Sequence, residues 1–124
     1  MMGSTSLKGI KGLGSARGGV GHWRMQRLTA VALVPLSIWL VVSLALLSDA
    51  EYEIVIQWVS DPFVTTLLLL TVLAVFFHLK LGVQVVIEDY FRSTQLKSFF
   101  LIANTFINVI FVLVSIISVL RIVL

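Results

Sequence analysis

Residues 61–90 read DPFVTTLLLLTVLAVFFHLKLGVQVVIEDY, and this stretch decides the fold. Asp61-Pro62 is a helix start, with Asp as the N-cap and Pro at the first helical position, where its missing N–H costs nothing. From Pro62 onward no charge intervenes until Lys80. A bilayer-crossing helix needs about 20 predominantly apolar residues, so the spacing predicts a membrane span over about 62–88.

Two similar runs flank it. Leu28 to Ser48 is free of charge for 21 residues and includes Pro35, which transmembrane helices tolerate when neighbours or local distortion re-satisfy the freed carbonyl. Ser98 to Leu120 gives 23 more uncharged residues, with Arg121 at the far end. The predicted helices are about 24–48, 62–88 and 96–123, in an all-α integral membrane fold of three transmembrane helices. Composition agrees: of 124 residues 59% are hydrophobic and 12% charged, against roughly 45–50% and 25% in an ordinary soluble domain. Mean hydropathy is +1.08, which excludes a soluble globular protein, and the length leaves no room for a folded extramembrane domain. The formal charge of +3 does not argue for nucleic acid in so apolar a chain. Cysteine is absent, which rules out disulfides, thiolate chemistry and Cys-held zinc or iron–sulfur centres within this chain. Any metal must lean on His22, His78 or carboxylates.

The connections set the orientation. Residues 1–23 are Gly-rich and basic, with Lys8, Lys11 and Arg17 and no acid, and read as a flexible cytoplasmic tail. The first apolar run begins too late and is too long for a secretory signal, so it is a retained span. Asp49, Glu51, Glu53 and Asp61 then mark a short acidic loop without a basic residue, which also carries the interfacial aromatics Tyr52 and Trp58. Arg24 and Arg27 precede span one, while Arg92 and Lys97 lie between spans two and three. Lys and Arg are retained on the inner side, which predicts a cytoplasmic N-terminus and a periplasmic C-terminus.

Ionisable groups within a span are expensive and mark candidate sites. At roughly 100° per residue, His78, Gly82, Val85 and Asp89 share one stripe of span two. A neutral imidazole can ligate haem iron, and Gly82 one turn on removes a side chain that would crowd a flat macrocycle. His78 can equally be a hydrogen-bonded buried histidine or line a proton path. If haem is bis-His ligated, a second subunit must supply the other ligand, because His22 precedes the first span. Lys80 points elsewhere and can snorkel toward the inner boundary. Asp89-Tyr90 lies about 18 Å along the axis from His78, where a phenol beside a carboxylate can donate to a quinone carbonyl or serve as an interfacial aromatic with a solvated acid. His22, Arg24 and Arg27 can hold haem propionates or anchor the chain to lipid phosphate. Asn104 and Asn108, four apart, are placed to bond to a neighbouring helix.

The pattern His78-x-x-x-Gly82-x-Gln84-Val85-x-x-x-Asp89-Tyr90, with Arg27-x-Thr29-Ala30 opening the first of three spans, resembles the D-type hydrophobic membrane-anchor subunits of succinate dehydrogenase, respiratory complex II. The likeness runs from about Gly14 to the end. It implies a four-subunit enzyme in which an FAD-bearing flavoprotein subunit oxidises succinate. An iron–sulfur subunit passes the electrons to ubiquinone, and a second, C-type membrane anchor completes the helical bundle. His78 matches the axial ligand that this type of anchor gives to a shared b-type haem, Tyr90 the tyrosine that hydrogen-bonds the quinone with Asp89 beside it, and Arg27 an arginine near the propionates. With one intramembrane histidine, one shared haem is expected, and the succinate chemistry resides in partner subunits. No transit-type segment is recognisable, which points to a bacterial inner (cytoplasmic) membrane.

Two rivals use the same residues differently. The anchor of a quinol:fumarate reductase employs closely similar parts in the opposite direction. A small pore-forming membrane protein would line a water path with His78 and Lys80 and carry no coloured cofactor.

Overall fold

The computed structural model contains four helices, α1 (Met2–Leu46), α2 (Tyr52–Ser60), α3 (Pro62–Tyr90) and α4 (Thr94–Val123), and no strand among the described residues. Side chains are described from Val20 onward. The basic tail expected over residues 1–23 lies, as far as residue 19, outside the described residues. Among the described residues three segments are long and apolar enough to cross a membrane, Val20–Leu46, Pro62–Tyr90 and Thr94–Val123, as the uncharged runs predict. Pro35 sits inside α1 without ending it.

The acidic connection differs from the loop expected of it. Within it, Tyr52–Ser60 forms the nine-residue helix α2, which packs on α3 and α4, buries Val59 and stacks Trp58 on Trp39 of α1 at 5.8 Å between ring centroids. Val55, Trp58 and Val59 stand at helical spacing, so a single turn-and-a-half of apolar face outweighs the acids around it. Asp61 then serves two helices. Its backbone N–H closes α2 on Gln57 and Trp58, and its carboxylate Oδ1 accepts from the Phe63 and Val64 amides at 3.0 and 3.2 Å to open α3. Pro62 occupies the first helical position as the sequence predicts. Ser93 opens α4 in the same way, accepting from the Leu96 amide.

Helix α3 is the middle of the structure. It packs against α1 on one side and α4 on the other, and among the described residues the backbones of α1 and α4 do not come within 8 Å of each other at Cα. The three spans therefore form an open row. Such a row buries little: among the described residues Val59, Val64, Leu81 and Ile87 are the buried apolar ones. In lipid this costs little, because acyl chains are as apolar as leucine and helix association rests on packing and interhelical hydrogen bonds instead.

The α3–α4 seam shows those bonds. Asn104 Nδ2 donates to the Lys80 carbonyl at 3.0 Å, and Asn108 Nδ2 donates to the Asn104 carbonyl and to Asn104 Oδ1, both at 2.8 Å. Phe76 stacks on Phe111 beside them. Both amide nitrogens of the asparagine pair are thus committed within this chain.

Candidate functional site

The α1–α3 seam holds the chain's intramembrane histidine. These helices run antiparallel, which brings Thr29 of α1 level with His78 of α3. Thr29 Oγ1 stands 2.9 Å from His78 Nδ1, and the same oxygen lies 2.8 Å from the Met25 carbonyl and 3.0 Å from the Gln26 carbonyl. His78 is half-buried. Among the described residues its other ring nitrogen, Nε2, has no hydrogen-bond partner, so the imidazole has one end fixed and one end free.

One turn further along α3, Gly82 faces Gln26. A Cβ added to Gly82 would meet only Gln26 Nε2, at 3.8 Å, an ordinary contact. The packing of this chain therefore does not require glycine there; the missing side chain leaves space that the chain itself does not use. Two polar atoms nearby are equally unspent. Among the described residues His22 Nε2 and Gln26 Oε1 are buried without a hydrogen-bond partner, although unpaired buried polar groups cost on the order of 1–3 kcal/mol each. His22, Gln26 and Thr29 fall on one stripe of α1 at i, i+4 and i+7. Toward the C-terminal half of α1 the same seam opens into an apolar groove of ≈ 470 Å³ lined by Leu28, Thr29, Ala32, Leu70, Ala74 and Phe77, among others.

The arginines are placed differently. Arg24 and Arg27 are exposed, and Arg27 lies two positions before Thr29, roughly 200° around the helix from it. Its guanidinium sits over the Trp23 ring at 5.4 Å from the centroid, a cation–π contact on the side of α1 turned away from α3. Of the three basic candidates for propionate contact, His22 alone falls on the stripe of α1 that carries Thr29. Lys80 also faces away: it lines a second groove, between α3 and α4, with Asn108 and Val112.

Tyr90 ends α3 and is 78% exposed, with its ring edge against Phe91 at 5.3 Å. Phe91 in turn stacks on Phe100 of α4 at 4.5 Å, so the phenol projects from a short aromatic ladder that fixes its base. Asp89 is exposed beside it. Neither touches the His78 region; they form a separate surface at the helix end. Sequence reasoning missed Thr29 as a partner and Gln26 altogether. The signal for both was available, since they lie at helical spacing from His22 just inside the span.

Three apolar helices in an open row, with an imidazole held at one seam and an aromatic-rooted tyrosine at one helix end, define a multi-pass helical membrane protein of the anchor type. Residues 2–117 match the family described as succinate dehydrogenase/fumarate reductase transmembrane subunit. A Rickettsia bellii protein named succinate dehydrogenase hydrophobic membrane anchor subunit is 34% identical over 109 residues, covering 88% of this chain and 87% of its own length. The Rickettsia conorii protein of the same name is 36% identical over 89 residues, 71% of each chain. The chain belongs to the succinate dehydrogenase/fumarate reductase transmembrane-subunit family, among its hydrophobic membrane-anchor subunits.

Proposed function

We propose that this chain is the D-type anchor of a succinate:ubiquinone oxidoreductase, in which His78 gives one axial ligand to a b-type haem and Tyr90 with Asp89 forms part of the ubiquinone site. The observation that carries the reading is the state of the His78 ring, tied to Thr29 at Nδ1 and free of protein partners at Nε2. Among the described residues no three His, Cys, Asp or Glu side chains converge, so His78 would hold a haem iron together with a ligand from another subunit, for which the C-type anchor is the candidate.

The residues fit the group. When bound, a b-type haem supplies a one-electron carrier whose potential is tuned by its axial ligands and their hydrogen bonds. His78 Nε2 provides the lone pair, Gly82 leaves the adjacent surface bare, and His22, on the stripe of α1 that carries Thr29 and with Nε2 buried and unpaired among the described residues, is the better placed of the basic residues to meet a propionate. Arg24 and Arg27 are assigned to the boundary, where they hold the first span against lipid phosphate.

At the inner end of α3 the Tyr90 hydroxyl donates a hydrogen bond to a quinone carbonyl, and the neighbouring Asp89 carboxylate can take or hand on a proton. The charge asymmetry supports a cytoplasmic position for this end and the N-terminus, the side on which a flavoprotein and an iron–sulfur subunit would dock. That the matched relatives are named for succinate dehydrogenase supports oxidation of succinate over the reverse reaction of a fumarate reductase. A pore is disfavoured because His78 and Lys80 face opposite seams of α3 and cannot line one water path. The test is His78→Ala in the assembled membrane complex: the reduced-minus-oxidised b-type absorption disappears, and an unchanged spectrum overturns the ligand assignment.

A further inference from the structure

Three short contacts converge on Thr29 Oγ1: the Met25 carbonyl at 2.8 Å, the Gln26 carbonyl at 3.0 Å and His78 Nδ1 at 2.9 Å. A hydroxyl owns one proton, and a carbonyl oxygen can only accept. Were that proton given to the ring, Oγ1 would face two carbonyl oxygens at hydrogen-bonding distance with no hydrogen between them. Thr29 is 7% exposed, so water cannot relieve such a contact. The proton therefore points back along α1 to the carbonyls, and Oγ1 presents a lone pair to the ring.

Nδ1 must then carry the hydrogen. A neutral imidazole has a single N–H, so Nε2 is left as a bare lone pair, the form that binds metal. We infer that Thr29 is the positioning residue that selects the Nδ1–H tautomer of His78 and fixes its ring for ligation through Nε2. This inference rests on the reading of His78 as a haem ligand and adds a second residue to it. The relay Nδ1–H to Oγ1–H to backbone carbonyl polarises along its length, and an acceptor on the far nitrogen raises the basicity of a ligating imidazole. The β-branch makes the device stiff, because threonine in a helix has few χ1 options.

The experiment compares Thr29→Val, which keeps the shape and removes the hydroxyl, with Thr29→Ser, which keeps the hydroxyl, in the assembled membrane complex. Haem content, the low-spin electron paramagnetic resonance signal and the haem midpoint potential are read in each. Thr29→Val is expected to shift the potential upward, move the resonance, and weaken haem retention by about 10-fold or more; Thr29→Ser stays with the wild type. If Thr29→Val does not assemble, Thr29→Ala makes the same comparison. A wild-type potential and resonance in Thr29→Val overturn the inference, and so does a Thr29→Ser variant as altered as Thr29→Val, which would show that packing rather than the hydroxyl matters. Haem retained in His78→Ala sinks the ligand reading itself, whereas haem lost in His78→Ala with Thr29→Val unchanged sinks the role of Thr29 alone.

Discussion

The two seams that α3 makes with its neighbours are built from similar helices and finished differently. Toward α4, both amide nitrogens of the asparagine pair are committed, one across to the Lys80 carbonyl and one back along α4, and only Asn108 Oδ1 is left over. Toward α1, a threonine holds one nitrogen of an imidazole, while among the described residues His22 Nε2 and Gln26 Oε1 are buried and unpaired and Gly82 leaves its surface bare. The first arrangement joins helices. The second has polar capacity that this chain does not consume, which is what a seam shared with a cofactor requires. Polarity inside a membrane helix is thus no guide to function until its hydrogen bonds are followed to their ends.

The contrast breaks most sharply at His78, where alanine should abolish the b-type spectrum of the purified complex. Gly82 tests the bare surface next. Gly82→Leu should expel most of the haem while the complex still assembles, measured as haem per complex, and Gly82→Ala should be tolerated by this chain because its methyl group meets only Gln26. Full haem occupancy in Gly82→Leu would show that the surface faces lipid instead. Tyr90→Phe removes one hydrogen bond, worth about 1 kcal/mol, and should slow quinone reduction by roughly 5- to 10-fold, with succinate oxidation by an artificial acceptor unchanged; equal loss of both would count against a quinone role.

On the opposite seam, Asn104→Leu should destabilise the anchor by about 1 kcal/mol, the scale of interhelical hydrogen bonds in membranes, and leave the haem spectrum untouched. A spectral change there would erase the distinction between the seams. The smallest effect is expected at Arg27. Arg27→Gln should retain haem on dilution as the wild type does, while His22→Gln should not, and the reverse order would return the propionate contact to the arginine.

Much of this was written in the order of residues. Uncharged runs and the Asp61-Pro62 start were sufficient for three spans, because hydrocarbon leaves a chain few choices. The helix at Tyr52–Ser60 was hidden by its acids, which read as loop although Val55, Trp58 and Val59 keep helical spacing. Within the site, His78 announces itself as a rare residue type in a span, and Gly82 as the one glycine in the sequence after Gly21. Thr29 does not, since a threonine in a helix ordinarily bonds its own carbonyls, and its second partner lies 49 positions away, fixed only by the register of two antiparallel helices. The difference between His22 and Arg27 is plain helical arithmetic, yet it acquires meaning only once the direction of α3 from α1 is known.

The separation of α1 from α4 has a cellular consequence. A palisade has two broad sides and little interior, so a newly made copy is expected to offer the quality-control proteases of the membrane more surface than an assembled one. Pulse-labelled chain should decay faster in cells that lack the other subunits than in cells that make them.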